Sequence, residues 1–224
     1  MAKGFFTPAL FAFLSELKEE NSREWFQANK DRFERDVRGP MLAFIGAFGE
    51  PLAGISRHYL ADPRPSGGSM FRIFRDTRFA RDKSPYKTNV GAHFRPRDCA
   101  RDVHAPSFYL HLEPGGSFAA AGSWHPDPEA LRRIRERIAA KPAEWRALAK
   151  AGLEVEGERL SRVPAGFDPA HPLAEVLKQK DFYTVTPLTQ QEVCAGAFLD
   201  LYADACRRNA PLVKFLAKAL DLPF

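Results

Sequence analysis

A chain of 224 residues, 45% hydrophobic and 27% charged, is long enough to bury a substantial core and has the composition of a folded globular protein, so disorder is excluded. No run of about 18 apolar residues occurs, which excludes a hydrophobic membrane span, and a net charge of +5 does not by itself imply a nucleic-acid partner. Cys99, Cys194 and Cys206 are an odd number in no paired spacing; this excludes a disulfide scaffold or zinc knuckle and, with no apolar leader pattern at the N-terminus, gives the expectation of a cytoplasmic protein without a membrane partner.

The first third reads as helices. Thr7 is placed to cap the first, with Pro8 in its first turn and Leu10, Leu14 and Leu17 at helical spacing. Asn21 to Glu24 forms a capping pattern for a second helix that turns Trp25, Phe26, Phe33 and Val37 inward. Gly39-Pro40 is expected to end it and to start a third, which carries Phe44, Ile45, Phe48, Leu52 and Ile55 and is kinked or split at Pro51. The turn-rich stretch Asp62 to Gly68 closes the helical part.

The middle third reads as strands. Met70 to Phe74 is short and apolar-rich. Thr88 to Arg95 sets Val90, Ala92 and Phe94 against Asn89, Gly91, His93 and Arg95. Ser107 to Glu113 alternates between Phe108, Leu110 and Leu112 on one face and Ser107, Tyr109, His111 and Glu113 on the other. Pro114-Gly-Gly116 turns the chain into a strand from Ser117 to Trp124, and short turns between consecutive strands favour an antiparallel sheet.

Asp127-Pro128 starts a helix with Leu131, Ile134 and Ile138 on one face, and Trp145 and Leu148 continue the apolar pattern after Pro142. Residues 152–187 read as irregular. Thr189 to Glu192 is a capping box for a helix to about Arg208, and a separate last helix runs from Pro211 to Leu220. The fold class expected is α+β, one domain over residues 1–224, with a mostly antiparallel central sheet flanked by N-terminal and C-terminal helices.

Two features carry chemistry. Between Arg72 and Arg101 stand nine basic and three acidic residues, a net +6, so the rest of the chain is nearly neutral. Guanidinium and ammonium groups at this density match phosphate or carboxylate. Arg72, Arg75, Arg78, Lys83 and Lys87 are the candidate anion ligands, with Tyr86 lining the pocket; the alternative is a structural network in which Asp76 and Asp82 pair with neighbouring arginines. The second feature is the polar sheet face. Tyr109, His111 and Glu113 share it, and an imidazole beside a carboxylate and a phenol suits proton transfer. Ala120 and Gly122 on the next strand leave room for a ligand, and Trp124 offers a stacking wall. No cofactor fingerprint or nucleophile elbow occurs. The six histidines form no metal-binding spacing, although His111, Glu113 and His125 lie on strands joined by one turn.

The run Phe71-Arg-Ile-Phe-Arg-Asp-Thr-Arg-Phe-Ala-Arg-Asp-Lys-Ser-Pro-Tyr-Lys-Thr88, with Tyr109-Leu-His-Leu-Glu-Pro-Gly-Gly-Ser117 and Gly122-Ser-Trp-His-Pro126, resembles the signature blocks of domain-of-unknown-function family 2461. Phe11 to Leu14, Asn21 to Phe26 and Leu177 to Phe182 extend the resemblance over nearly the whole chain, and Pro96 to Pro106 departs from it as an insertion-like stretch. The resemblance implies a soluble single-domain protein and no particular activity. The reading taken forward is a small anionic ligand bound by the basic loop beside the polar sheet face, with His111, Glu113 and Tyr109 as candidate catalytic groups. The rival readings are a nucleic-acid-binding module and a non-catalytic protein-interaction domain.

Overall fold

The computed structural model describes residues 4–99, 102 and 104–224; Arg101 of the basic segment lies outside them. Helix α1 (Pro8–Glu19) buries Leu10, Phe11, Phe13, Leu14 and Leu17. Thr7 stands at its N-cap, but its hydroxyl makes no capping bond, so Pro8 alone shapes the start. Helix α2 (Arg23–Ala28) is capped by Ser22, whose Oγ accepts from the Trp25 amide at 3.1 Å. Asn21, expected to begin that cap, instead bonds the backbone of Tyr86.

Helix does not stop at Gly39-Pro40. Helix α3 (Lys30–Phe33) runs through a π turn (Glu34–Arg38) into α4 (Gly39–Ile55). Proline has no N–H to donate, and its ring crowds the carbonyl four residues back. The wider turn relieves that crowding, and the Gly39 amide reaches Glu34 O, five residues away. Pro51 likewise lies inside α4 without dividing it.

The sheet has five strands in sequence order, each antiparallel to its neighbours. They are β1 (Tyr59–Leu60), β2 (Val90–Pro96), β3 (Ser107–Leu112), β4 (Phe118–Ser123) and β5 (Phe182–Pro187). Met70–Phe74 is not a strand. It makes only isolated bridges, Met70 to Ala92 and Phe74 to Tyr86. Strand β5 falls in the stretch expected to be irregular. After β4 come α5 (Pro128–Ala140), α6 (Pro142–Lys150) and the short α7 (Ala174–Leu177); after β5 come α8 (Gln190–Val193), with the expected Thr189–Glu192 capping box, and α9 (Phe198–Ala219).

Helix α9 passes through Pro211, where two helices were expected. An interior proline costs about 3 kcal/mol. Leu212, Val213, Phe215 and Leu216 follow it and are all buried, and each such side chain contributes roughly 1.5–3 kcal/mol. Their burial outweighs the proline. The first part of α9 joins α1, α4 and one face of the sheet in a phenylalanine-rich core; its last turns pack with Ile134, Ile138, Trp145 and Phe182 in a second cluster. Among the described residues no helix is long and apolar enough to cross a membrane.

Candidate functional site

Val90, Ala92, Phe94, Phe108, Leu110, Leu112, Ala119 and Ala121 face the helices. Strand alternation therefore turns Gly91, His93, Ser107, Tyr109, His111, Phe118, Ala120 and Gly122 to the other side, where β5 adds Tyr183 and Val185. In register, His93 lies opposite Tyr109, His111 opposite Phe118, Tyr109 opposite Ala120 and Ala120 opposite Val185. Alanine and glycine between large rings leave a cavity of about 670 Å³, whose wall is completed by Phe71, Trp124 and Glu156.

Two glycines make this surface possible. A Cβ at Gly91 would lie 2.6 Å from the Tyr109 hydroxyl oxygen, so only glycine lets the phenol lie over β2. Gly122 has φ +131°, and a Cβ there would lie 2.1 Å from Phe182 O, so glycine also admits the close approach of β5.

The cavity floor carries a hydrogen-bonded chain. The Glu113 carboxylate can only accept, so His111 donates through Nε2–H at 3.2 Å. Its Nδ1 is then left to accept from the Tyr109 hydroxyl at 2.9 Å. The Phe118 ring stacks on the imidazole, with centroids 4.6 Å apart and an interplanar angle of 11°. Glu113 is held from behind: its amide donates to Ser117 Oγ at 3.1 Å, and that hydroxyl returns a bond to its carbonyl at 3.0 Å. Burial, and secondarily Glu113, push the Tyr109 phenol up to about 12, so it is a neutral donor at physiological pH. A proton arriving at the phenol oxygen can displace the phenolic proton onto His111, and the imidazolium so formed faces Glu113.

His93 is the second polar feature of the wall. Its Nε2 lies 2.5 Å from Ser107 Oγ, and its Nδ1 has no partner among the described residues. Burial, then Arg95 and His104, bring its pKa down to about 3, so the ring is neutral. The bare Nδ1 is itself covered by protein, packed under Phe71 and Tyr109, so it is an unsatisfied buried acceptor that leaves the neutral ring the only form the site tolerates.

The cationic loop lies elsewhere. Arg75 pairs with Asp82, Arg78 pairs with Asp76 at 2.6 Å, and Lys83 Nζ donates to Thr77 O at 2.9 Å. The Arg78 guanidinium holds the Asp76 carboxyl down to about 2. Tyr86 is buried and stacks on Phe26 with centroids 4.1 Å apart, so it fastens the loop to α2. Arg72 is exposed. Lys87 reaches toward the cavity, its Nζ standing 5.2 Å from the centroid of the lining residue Phe71; burial, then Arg72, lower its pKa.

The structure thus brings Tyr109, His111 and Trp124 into one cavity with Glu113 behind His111, and among the described residues the lining includes no Arg or Lys. Of the loop cations expected beside the sheet face, none is among the described residues that line this cavity, and Arg75, Arg78 and Lys83 are engaged within the loop. Asp76 and Asp82 take up Arg78 and Arg75, and the loop folds toward α2. Arg75 and Tyr86 border a second hollow of about 690 Å³ with Arg23, Gln27, Lys30 and Thr77. Sequence reasoning missed Tyr183 and Val185, although the run Phe-Tyr-Thr-Val-Thr at 182–186 is rich in strand-forming residues. Phe71 and Glu156 were missed because they reach the cavity from outside the strands, where alternation gives no signal.

Among the described residues no group of three or more His, Cys, Asp or Glu side chains is placed to hold a metal ion, and His125 engages Asp181 rather than His111. No curated protein matches the chain. Residues 9–215 match the family described as conserved hypothetical protein (DUF2461), and the chain belongs to that family.

Proposed function

We propose that the protein binds a small, largely apolar molecule, aromatic or heterocyclic, in the cavity on the outer sheet face, and that the Tyr109–His111–Glu113 chain exchanges a proton or hydrogen bond with its polar group. The observation that carries this reading is the coincidence of the cavity with that chain: an aromatic-walled hollow of about 670 Å³, within the size range of small-molecule sites, is lined by the phenol and the imidazole, with the Glu113 carboxylate behind the imidazole. Recognition there relies on ring faces, neutral polar groups and the Glu156 carboxylate, since among the described residues no Arg or Lys lines it.

Filling the cavity tests this. Ala120 lines it, and Ala120→Phe adds a ring to open space. In a thermal-shift screen of aromatic and heterocyclic metabolites, compounds that stabilise the wild-type protein should leave the variant unmoved. A screen that stabilises neither protein, or both equally, contradicts the reading.

The second hollow favours an anionic ligand as an additional reading. It gathers Arg23 and Lys30 of the α2–α3 region against one lining carboxylate, Glu24, with Arg75 already paired with Asp82, and Gln27 and Thr77 supply neutral polar groups. Calorimetric titration with inorganic phosphate tests it: binding that Arg23→Ala and Lys30→Ala each weaken supports it, and no detectable heat of binding contradicts it. Oligonucleotide binding that falls steeply with salt would point instead to nucleic acid.

A further inference from the structure

Trp124 lines the cavity, and its ring stacks on that of the next residue, His125, with centroids 4.1 Å apart and an interplanar angle of 21°. His125 is not among the residues whose chemistry the proposed function uses. Its side chain is half exposed, whereas that of its partner Asp181 is 2% exposed. One Asp181 oxygen accepts both from the His125 amide and from His125 Nδ1, each at 2.7 Å. The other accepts from the Glu158 amide at 3.2 Å. A buried carboxylate fixed by two backbone amides is a rigid orienting group, and because it only accepts, His125 Nδ1 must carry the proton. The bare nitrogen is then Nε2, on the exposed side of the ring.

The backbone supports a functional role. His125 has φ +50°, although it is not glycine and precedes Pro126. A residue before proline favours extended conformations, and backbone strain of this kind collects where a side chain must be held in one place. The neighbouring wall belongs to the same site: Glu156 lines the cavity and bridges to Tyr183, another lining residue, two positions from Glu158.

We infer that His125 and Asp181 form a second proton-transfer centre at the rim of the cavity. His125 Nε2 takes a proton from a hydroxyl of the bound molecule or from water, the electron pair stays on that oxygen, and the resulting imidazolium is balanced by Asp181. With the Tyr109–His111–Glu113 chain on the floor, the cavity then holds a proton acceptor at its rim and a separate proton path at its base. This equips it for reactions that remove a proton at one point of a molecule and supply one at another. The inference extends the cavity reading, but its test needs no ligand, so the two can fail separately.

The probe is diethyl pyrocarbonate, which acylates unprotonated imidazole nitrogen, followed residue by residue by mass spectrometry, with the exposed His58 as internal reference. His125 should be modified several-fold faster than His58, and Asp181→Asn should bring its rate down to that of His58. Nitrogen-15 NMR of the wild-type protein should find neutral His125 protonated at Nδ1. Modification of His125 no faster than His58, or a proton on Nε2, overturns the inference; both measurements are made on the wild-type chain and stand even where the variant folds poorly.

Discussion

His93 is kept neutral by its surroundings, and this makes stability depend on pH in a defined direction. Its pKa is about 3 in the fold, against about 6.5 in an unfolded chain. Between those values the unfolded state binds the extra proton, so the stabilising contribution is complete above about pH 6.5 and is lost as pH falls toward 3. The slope between them approaches about 1.4 kcal/mol per pH unit. Urea unfolding at pH 7 and pH 5 should therefore show a larger loss of stability for the wild-type protein than for His93→Gln. Equal losses would mean that the imidazole is not held neutral by burial. That a histidine on this face could be polar was legible from alternation. That it would be dry was not, because burial depends on Phe71 and Tyr109 packing around it. Gly91 is similar: its place on the polar face is written in the sequence, but its need to be glycine appears only when Tyr109 of the next strand lies over it.

The most distinctive element is the loop from Arg72 to Lys87. Its charge suggested a ligand site, and its own acids explain why several of those charges turn inward on the loop. What closes it is backbone pairing: the Arg75 amide donates to Pro85 O at 2.9 Å and the Lys87 amide to Ile73 O at 2.8 Å. Asn21 then clamps it to the start of α2, giving one hydrogen bond to Tyr86 O at 3.0 Å and taking one from the Tyr86 amide at 3.1 Å. Exposed ion pairs are worth little, whereas leaving two such backbone groups unmatched costs about 1–3 kcal/mol each. Asn21→Ala should therefore accelerate tryptic cleavage after Arg78 or Arg81 more than Asp76→Ala does. The opposite order would show that the Arg–Asp pairs hold the loop. The sequence pattern around Asn21 is that of a cap, and local reasoning had no means of knowing that its partner lies 65 residues away. The same limit applies to β5 and α9. Pro187 and the surrounding glycines and prolines masked a strand that pairs along its whole length with β4, and Pro211 suggested a break that buried side chains on both sides override.

At the scale of the molecule, the sheet divides two tasks. One face is sealed by α1, α4 and α9 into a core of phenylalanine and leucine. The other, with small residues at Ala120 and Gly122, keeps a cavity open. The helix–sheet–helix order, the antiparallel pairing and the shared face of Tyr109, His111 and Glu113 could be read from period and turn signals. The relation of that face to the basic loop could not, since it is set by packing against α2. The central claim is that ligand recognition belongs to the sheet cavity. NMR titration of nitrogen-15-labelled protein with indole, benzoate and adenine tests it most directly. The account predicts that at least one probe shifts the amides of Gly91, Tyr109, His111, Ala120, Gly122 and Val185 while leaving those of Arg23 to Lys30 in place; shifts confined to the second hollow, or none with any probe, would contradict it.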